Sequence, residues 1–273
     1  MNKIVFIGAG NMSGAIIEGM LSAGIPPTTL WATNRSEHKR AQWAAKGLNT
    51  SADNMTAVAG ASVVVLGVKP VHMNDLLAAL AANIPENALV ITVAAGVPLK
   101  NYEHFLPNNA ICRVMPNTPC LVKTGVSGVF YSSNCSEEDR STVAQLFHPL
   151  GLVHTCQTEA EIDSVIAAAG SAPAYFFLFM EAMINAAISQ GLRPEDAAAM
   201  VKQTALGAAR MAISSEDEPA ELRRKVTSPG GTTAQAIDRF TSENLHGIVA
   251  SAMIDCRQRA HEMAELFQLK HGE

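Results

Sequence analysis

The sequence contains little charge and few aromatic side chains, and neither sign of charge dominates. Charged residues make up 16% of the 273 residues, aromatic residues make up 5%, and the formal net charge is −5. This balance gives no indication of an extended basic face of the kind that binds nucleic acid or anionic membranes. Hydrophobic residues make up 48% of the chain, enough to fill one large core or two ordinary ones. We therefore expect a globular protein with no nucleic-acid and no membrane partner.

The sequence also lacks the spacings of disulfide frameworks and of metal sites. Its five cysteines include no C-x-x-C pair, which is typical of free thiols in a reducing cytoplasm: Cys112, Cys120, Cys135, Cys156 and Cys256. The eight histidines are scattered without the spacing of metal ligands, so we expect no metal site. The first apolar run is too short for a secretory signal and leads directly into a glycine turn. We expect a cytoplasmic protein.

One uncharged stretch, residues 164–180, approaches the length of a transmembrane helix. The segment Gly170-Ser171-Ala172-Pro173 interrupts it, and Glu181 follows directly. We interpret this stretch as a helix that is buried on several sides, inside a domain or in a subunit interface.

The beginning of the chain has the pattern of a strand, a glycine turn and a helix. Residues 3–7 are rich in β-branched and aromatic side chains, Gly8-Ala9-Gly10 permits a tight turn, and helical periodicity begins at Asn11. The spacing Gly8-x-Gly10-x-x-Ser13 differs from the strict dinucleotide fingerprint at its third position. Because a helix N-terminus offers free N–H groups and a positive dipole end, the pattern predicts a pyrophosphate site. An ordinary structural turn is the alternative.

Strand and helix patterns alternate up to about residue 158. Further strand-like runs occur at 30–33, 62–68, 88–93, 110–115 and 125–131. We expect a parallel, doubly wound sheet of the Rossmann-like α/β class over residues 1–158. The later patterns are helical and predict an all-α domain over residues 159–273, with helices at 160–169, 173–190, 195–213, 218–224, 232–240 and 243–268.

The end of the second predicted strand indicates which nicotinamide cofactor is bound. NAD sites carry a carboxylate there, which accepts hydrogen bonds from the adenosine ribose. This chain has Asn34 and Arg35 instead, and a guanidinium pairs well with phosphate oxygens. The pattern predicts NADP(H), with NAD(H) bound less well. A solvated surface arginine is the alternative.

A second loop whose groups suit ligand binding lies in the helical half, at Ser228-Pro229-Gly230-Gly231-Thr232-Thr233. The glycines expose consecutive N–H groups, the hydroxyls add donors, and a helix begins directly afterwards. Such a loop suits a carboxylate. These residues alone fit an ordinary helix cap and turn equally well.

Several motifs follow one another along the chain: Gly8-Ala9-Gly10-Asn11-Met12, Gly67-Val68-Lys69-Pro70, Ala94-Ala95-Gly96, Arg113-Val114-Met115-Pro116-Asn117-Thr118-Pro119 and the Ser228–Thr233 loop. In this order they resemble the pyrroline-5-carboxylate reductase family, which catalyses the last step of proline biosynthesis, over essentially the full chain. The loop is the most specific motif. The chain departs from the family pattern Ser-Gly-Ser-Gly-Pro-Ala-Tyr at 169–175, where Ala169 and Ala172 replace two small residues.

The resemblance implies a set of cofactor contacts. The pyrophosphate is wrapped by Gly8, Ala9, Gly10, Asn11 and Met12, while Asn34 and Arg35 face the adenosine phosphate and Asn54 lies near the adenosine. The remaining contacts lie at strand ends or beside the nicotinamide: Val68, Lys69, Pro70, Ala94, Ala95, Gly96, Asn117 and Pro173.

The resemblance also implies the reaction. Hydride passes from NADPH to the C=N carbon of 1-pyrroline-5-carboxylate, a small imino acid, and L-proline forms. The carboxylate is bound by Ser228, Gly230, Gly231, Thr232 and Thr233, and Thr233 is the catalytic residue that hydrogen-bonds the imine nitrogen. The family further implies a homodimer through the helical domain, with the loop of one subunit completing the site of another, and a pentamer of dimers.

Two other functions remain as alternatives. A 3-hydroxyacid dehydrogenase-like NADP oxidoreductase shares the N-terminal pattern but relies on a catalytic lysine in the second domain. The candidate here is Lys202, which is followed by Gln203 rather than the usual asparagine. A non-catalytic NADP-binding regulator is the second alternative, although its loops would be degraded and these are intact.

Overall fold

The computed structural model describes residues 3–267. A β-sheet organises the first part of the chain, and β1 is the third strand in its spatial order. The Cα positions divide the described chain into two units. The sheet unit comprises residues 3–171 together with 256–267, and the helical unit comprises residues 172–255.

The sheet has eight strands in the order β3-β2-β1-β4-β5-β6-β7-β8. The strands are β1 Ile4–Ile7, β2 Leu30–Thr33, β3 Asn49–Ser51, β4 Val63–Leu66, β5 Leu89–Thr92, β6 Ile111–Pro116, β7 Gly125–Tyr131 and β8 Gly151–Thr155. The first six follow the order of the doubly wound dinucleotide-binding fold. The predicted Rossmann-like class is therefore confirmed.

The sheet carries a hydrophobic core on each face. Ile4 and Phe6 of β1 pack into one core, and Val5 and Ile7 pack into the other. All four side chains are fully buried. A sheet covered on both faces requires continuous apolar strands, which explains the uninterrupted β-branched runs of the sequence.

Helices cover both faces of the sheet. They are α1 Asn11–Ser22, α2 Glu37–Ala44, α3 Asn54–Val58, α4 Met73–Leu80, α5 Leu99–Phe105, α6 Glu137–Phe147 and α7 Glu161–Val165. Side-chain caps fix the N-termini of α2 and α6. Ser36 accepts a hydrogen bond from Lys39 N, and Ser136 forms a capping box with Asp139.

The sheet differs from the prediction in one pairing. β7 runs antiparallel to β6, whereas the other neighbouring strands are parallel. The connection at residues 117–124 contains a 3-10 turn and is too short for the helical crossover that a parallel pair needs. Strands β3 and β8 and helices α3 and α5 were not predicted, because they are short and lack a clear apolar period.

The helical unit agrees closely with the predicted helices. It contains α8 Ala172–Ser189, α9 Pro194–Ser214, α10 Pro219–Lys225, α11 Thr232–Ser242 and the beginning of α12 Leu245–Phe267. Pro194 and Pro219 occupy first turns, where their missing N–H groups cost nothing. Within residues 172–255 three hydrophobic side chains are buried, and all three are small: Ala172, Ala197 and Val201.

The uncharged stretch forms a helix, interrupted by a π-helical turn at Ile166–Gly170. In this single chain Phe176, Phe177 and Leu178 of α8 are exposed, so burial inside the domain is wrong and a subunit interface remains. Among the described residues, Glu161–Ser189 is the one helical stretch whose length and composition would suffice to cross a membrane. A single such helix is weak evidence for membrane insertion.

We predict that Gly151→Ala destabilises the start of the β7–β8 pair. Gly151 has φ 137°, and a Cβ built there would lie 2.1 Å from the carbonyl oxygen of Gly125. Backbone strain and this contact together are expected to lower the free energy of unfolding by about 3 kcal/mol.

The matched control is Gly60→Ala. Gly60 also has a positive φ, but a Cβ built there has no heavy atom within 4 Å outside its own residue and the two adjoining ones. The substitution is expected to cost only about 1 kcal/mol, from the left-handed backbone. Urea unfolding of both variants measures the difference. Equal losses would show that the contact with Gly125 contributes nothing.

Candidate functional site

A cleft of about 680 Å³ opens at the carboxyl ends of β1, β2 and β4. The chain leaves β1 towards β2 on one side and later returns to β4 on the other, which makes this edge the switch point of the sheet. Ligands of doubly wound sheets bind at such points. Predicted cofactor residues line the cleft: Gly8, Gly10, Asn34, Arg35, Asn54, Val68 and Lys69.

The glycine turn presents backbone N–H groups at the start of α1. Gly10 is the N-cap and supplies no side-chain cap, and the first helical hydrogen bond runs from Gly14 N to Gly10 O at 2.8 Å. The N–H groups of Asn11, Met12 and Ser13 precede that bond. Together with the helix dipole they form a site for an anion.

The turn allows β1 and β4 to end in close contact. Gly8 has φ 85°, and a Cβ there would lie 3.0 Å from Val68 and 3.2 Å from the Gly67 carbonyl. A Cβ on Gly67 would lie 2.0 Å from Ser13 Oγ, which donates to Gly8 O at 3.0 Å. Gly67 thus belongs to the site, although it was not among the predicted contacts.

Asn34 and Arg35 follow β2 and form one wall of the cleft. The Asn34 amide donates to Ala9 O at 3.3 Å and accepts from Ser36 N at 2.9 Å, so it shapes the loop. Arg40 braces the same loop by donating to the carbonyl oxygens of Asn34 and Arg35 at 2.7 and 2.9 Å. The Arg35 side chain is exposed at the cleft, where a guanidinium can meet a phosphate. Sequence reasoning missed Arg40.

Ala95 and Gly96 lie in a second, smaller pocket of about 200 Å³, while Ala94 is nearly buried beside them. Ile166, Ser171 and the end of α12 complete the lining of this pocket, which lies within the sheet unit. The predicted cofactor residues that line these two pockets therefore fall into two groups. Pro70 begins the 3-10 turn that follows Lys69.

A carboxylate that sequence reasoning missed fixes the turn after Ala94–Gly96. Glu159 Oε1 accepts from Leu99 N at 2.6 Å and forms an ion pair with the buried Arg113 of β6. Nearby, the Thr92 hydroxyl bonds Tyr102 OH at 2.7 Å, and burial raises the pKa of Tyr102 well above its usual range. Strand β6, helix α5 and the chain before α7 are joined by these contacts.

Asn117 links β6 to the π-helical turn. Its amide donates to Ala169 O at 3.1 Å, and its oxygen accepts from Val126 N at 2.9 Å. A π turn leaves carbonyl groups without their normal partners, and Asn117 satisfies one of them. Ala169 contributes here through its backbone, which a change of small side chain does not alter.

The remaining predicted residues lie in the helical unit. Pro173 is in the first turn of α8. The Ser228–Thr233 loop joins α10 to α11, with Gly230 at φ 69° and Gly231 as an N-cap without a side-chain cap. The N–H groups of Thr232 and Thr233 precede the first helical bond, from Gln235 N to Gly231 O at 3.3 Å. The loop is exposed and has the backbone geometry of an anion site.

The switch-point cleft, the glycine turn and the uncapped start of α1 are the features of a dinucleotide-binding protein. Two family models match the chain: NADP oxidoreductase, coenzyme F420-dependent, over residues 3–96, and pyrroline-5-carboxylate reductase dimerisation over residues 159–263.

Individual proteins match over nearly the whole chain. A Vibrio alginolyticus pyrroline-5-carboxylate reductase is 46% identical over 97% of this chain and 98% of its own. A Coxiella burnetii pyrroline-5-carboxylate reductase structure has a TM-score of 0.91 at 38% identity, covering 96% of this chain and 98% of its own. A Plasmodium falciparum pyrroline carboxylate reductase with NADP bound has a TM-score of 0.86 at 27% identity, covering 96% and 98%. The chain belongs to the pyrroline-5-carboxylate reductase family.

We predict that Glu159→Gln lowers the free energy of unfolding by about 2 kcal/mol, because it leaves the buried Arg113 charge without its partner. The matched control is Glu18→Gln, whose carboxylate pairs with Lys46 while about half of each side chain is exposed. That change is expected to cost less than about 0.5 kcal/mol. Urea unfolding measures both; an equal cost would contradict the assigned importance of Glu159.

Proposed function

We propose that this protein reduces 1-pyrroline-5-carboxylate to L-proline with NADPH. The observation that carries the proposal is the match, at 46% identity and over nearly all of both chains, to a pyrroline-5-carboxylate reductase. The cleft at the switch point supports it, because its N–H groups and its exposed arginine suit a dinucleotide with an extra phosphate.

The proposed cofactor site extends along the carboxyl edge of the sheet. Residues 8–12 wrap the pyrophosphate, which accepts from the backbone N–H groups of Asn11 and Met12, because those of residues 8–10 donate within the protein. Arg35 binds the 2′-phosphate. Asn34 shapes the loop that carries Arg35, Asn54 lies beside the adenosine, and residues 68–70 continue the site. Nearer the nicotinamide, the proposed contacts are Ala94, Ala95, Gly96, Asn117 and Pro173. NADH lacks the phosphate and is expected to bind less well.

The proposed substrate site is the loop before α11. Backbone N–H groups of Gly230 and Thr232 and the hydroxyl of Ser228 bind the substrate carboxylate, while Thr233 hydrogen-bonds the imine nitrogen. Gly231 holds the turn of this loop, since its N–H donates to Ser228 O at 3.0 Å. Bound NADPH supplies the hydride. The hydride forms a C–H bond at the imine carbon, the π electrons of the C=N bond move to nitrogen, and solvent supplies the proton. The protein contributes mainly orientation, since a protonated imine is already electrophilic.

The helical unit is proposed to form a homodimer. Its large hydrophobic side chains are exposed in the single chain, including Phe177 at 63% and Ile213 at 86%. Soluble monomers rarely expose such contiguous apolar surface. We assign residues 1–158 to cofactor binding and 159–273 to dimerisation and substrate binding, with each loop completing a site in the dimer. A pentamer of dimers is the proposed higher assembly, and the cytoplasm is the proposed location.

Light scattering of the purified chain tests the assembly. A mass of two subunits or a multiple of two is expected, and Phe177→Glu should shift the protein towards a monomer because it places a charge in the apolar surface. Glu138→Lys, on the exposed surface of α6 in the sheet unit, is the control. A stable monomer for the unaltered chain would contradict the proposal.

The proposed reaction is tested by following NADPH oxidation with 1-pyrroline-5-carboxylate and identifying the product. A 3-oxo acid is tested beside it. Turnover with the imine and formation of proline support the proposal. Turnover with the oxo acid alone would favour the hydroxyacid dehydrogenase alternative and its candidate, Lys202, and NADPH binding without turnover would favour the regulator.

We predict that Arg35→Ala weakens NADPH far more than NADH. Loss of a charge-assisted bond to phosphate costs about 1.5–3 kcal/mol, so the KM for NADPH should rise at least about tenfold. Lys39→Ala removes another exposed charge, on α2 but outside the cleft lining, and should change both cofactors slightly and equally. Equal weakening of NADPH and NADH by Arg35→Ala would refute the phosphate contact.

We predict that Thr233→Ala lowers kcat/KM for the imine by about 10- to 100-fold, the value of one hydrogen bond to a charged group. Thr233→Ser keeps the hydroxyl and should recover most of the activity. Thr241→Ala is the control on the same helix, where the hydroxyl donates to Ile237 O at 2.8 Å. An unchanged kcat/KM in Thr233→Ala would exclude the catalytic role.

A further inference from the structure

Three potential metal ligands converge at the outer edge of the sheet, away from the proposed reaction site. His154 lies near the end of β8, Cys156 directly follows that strand, and Glu161 is the first residue of α7. One ligand atom from each side chain lies within 4.8 Å of the other two. None of these residues lines the cleft or the smaller pocket.

The local backbone explains why they meet. Residues two apart on an extended chain project to the same side, which brings His154 beside Cys156. Cys156 N donates to Val129 O at 2.8 Å and continues the pairing of β8 with β7. The loop then turns back, and Glu161 Oε2 accepts from Gln157 N at 2.8 Å, which directs the carboxylate towards the strand end.

The donor set fits zinc. An imidazole nitrogen, a thiolate and a carboxylate oxygen are the ligand types that Zn²⁺ takes, at about 2.0–2.3 Å. Ligand atoms around such an ion lie about 3.5 Å apart, so the cluster must contract by roughly 1 Å. The His154 side chain is free to move, because it is exposed and makes no hydrogen bond or ion pair with the part of the chain that the structure describes.

The Cys156 thiol is buried and has an acidic neighbour. Burial raises its pKa, and the nearby Glu161 carboxylate raises it further, while Arg113 acts in the opposite direction. A divalent cation would compensate the negative charge of both the thiolate and the carboxylate. On binding, a Zn–S bond replaces the S–H bond and the proton passes to solvent.

We propose that His154, Cys156 and Glu161 bind one Zn²⁺ ion per chain, with the fourth position open to water. The ion closes the loop of residues 156–161. Glu159, which holds Leu99 N and Arg113, lies inside this loop. Zinc therefore stabilises the folded chain, because it binds three ligands that only the folded loop brings together.

This site departs from the sequence expectation of no metal. His-x-Cys followed by Glu five residues after the cysteine is not a familiar zinc spacing, and the third ligand joins only because the loop turns back.

The test uses the full-length chain without a histidine tag, with its thiols reduced and metals removed. Co²⁺ is titrated first, because a cobalt–thiolate bond gives a near-ultraviolet charge-transfer band, and Zn²⁺ is then used to displace it. We expect one ion per chain. Cys156→Ser should remove the band, and His154→Ala and Glu161→Gln should each weaken binding at least about tenfold.

Matched controls are Cys135→Ser and His148→Ala, a half-buried thiol and an exposed imidazole outside the cluster. Both should bind Co²⁺ like the unaltered chain. Zinc should also raise the Tm of the unaltered chain and of these controls, but not that of His154→Ala, whose exposed position makes it safe for folding.

Three results would overturn the proposal. The first is the absence of a thiolate band in the unaltered chain at one equivalent of Co²⁺. The second is a band that persists in Cys156→Ser. The third is metal affinity that is unchanged in His154→Ala. If Cys156→Ser fails to fold, the His154 and Glu161 variants decide the question.

Discussion

The close approach of two backbones at the end of β1 and β4 is the constraint on which the site depends. Gly8 and Gly67 lie so near each other that a methyl group on either would meet a neighbouring backbone or the Ser13 hydroxyl. This contact fixes where α1 begins and therefore where its free N–H groups point. The cleft, its anion site and the loop after β2 are arranged around that point.

A second set of contacts lies around β6, α5 and the π-helical turn. Glu159 joins the start of α5 to β6, and Asn117 joins the end of β6 to the π-helical turn. Each uses a side chain to satisfy backbone groups that irregular structure leaves open. Ala95 and Gly96 line one pocket together with Ile166 of that π-helical turn.

The sequence predicted features that are encoded locally. The runs at 4–7 and 63–66 are strands because continuous apolar residues suit a sheet covered on both faces, and the Ser36 cap is read from adjacent residues. The glycine turn and Arg35 were likewise found from their place after a strand. Their proximity in one cleft follows from parallel strands that end at the same edge.

Other features depend on contacts between distant residues. Glu159 meets Leu99 and Arg113 across long separations, and nothing in its neighbours distinguishes it from a surface glutamate. Arg40 similarly looks like one more charge on an exposed helix. The antiparallel β7 and the π turn follow from chain connection and packing, which single-residue patterns do not encode. The apolar surface of α8 was predicted, but its exposure becomes evident only in the folded chain.

The most direct test of the account is the path of the hydride. NADPH that carries deuterium at both positions of the nicotinamide C4 is incubated with the protein and 1-pyrroline-5-carboxylate, and the product is examined by NMR and mass spectrometry. The account predicts L-proline with one deuterium, on the ring carbon that was the imine carbon. Unlabelled proline, or deuterium only in the product of an oxo acid, would contradict it.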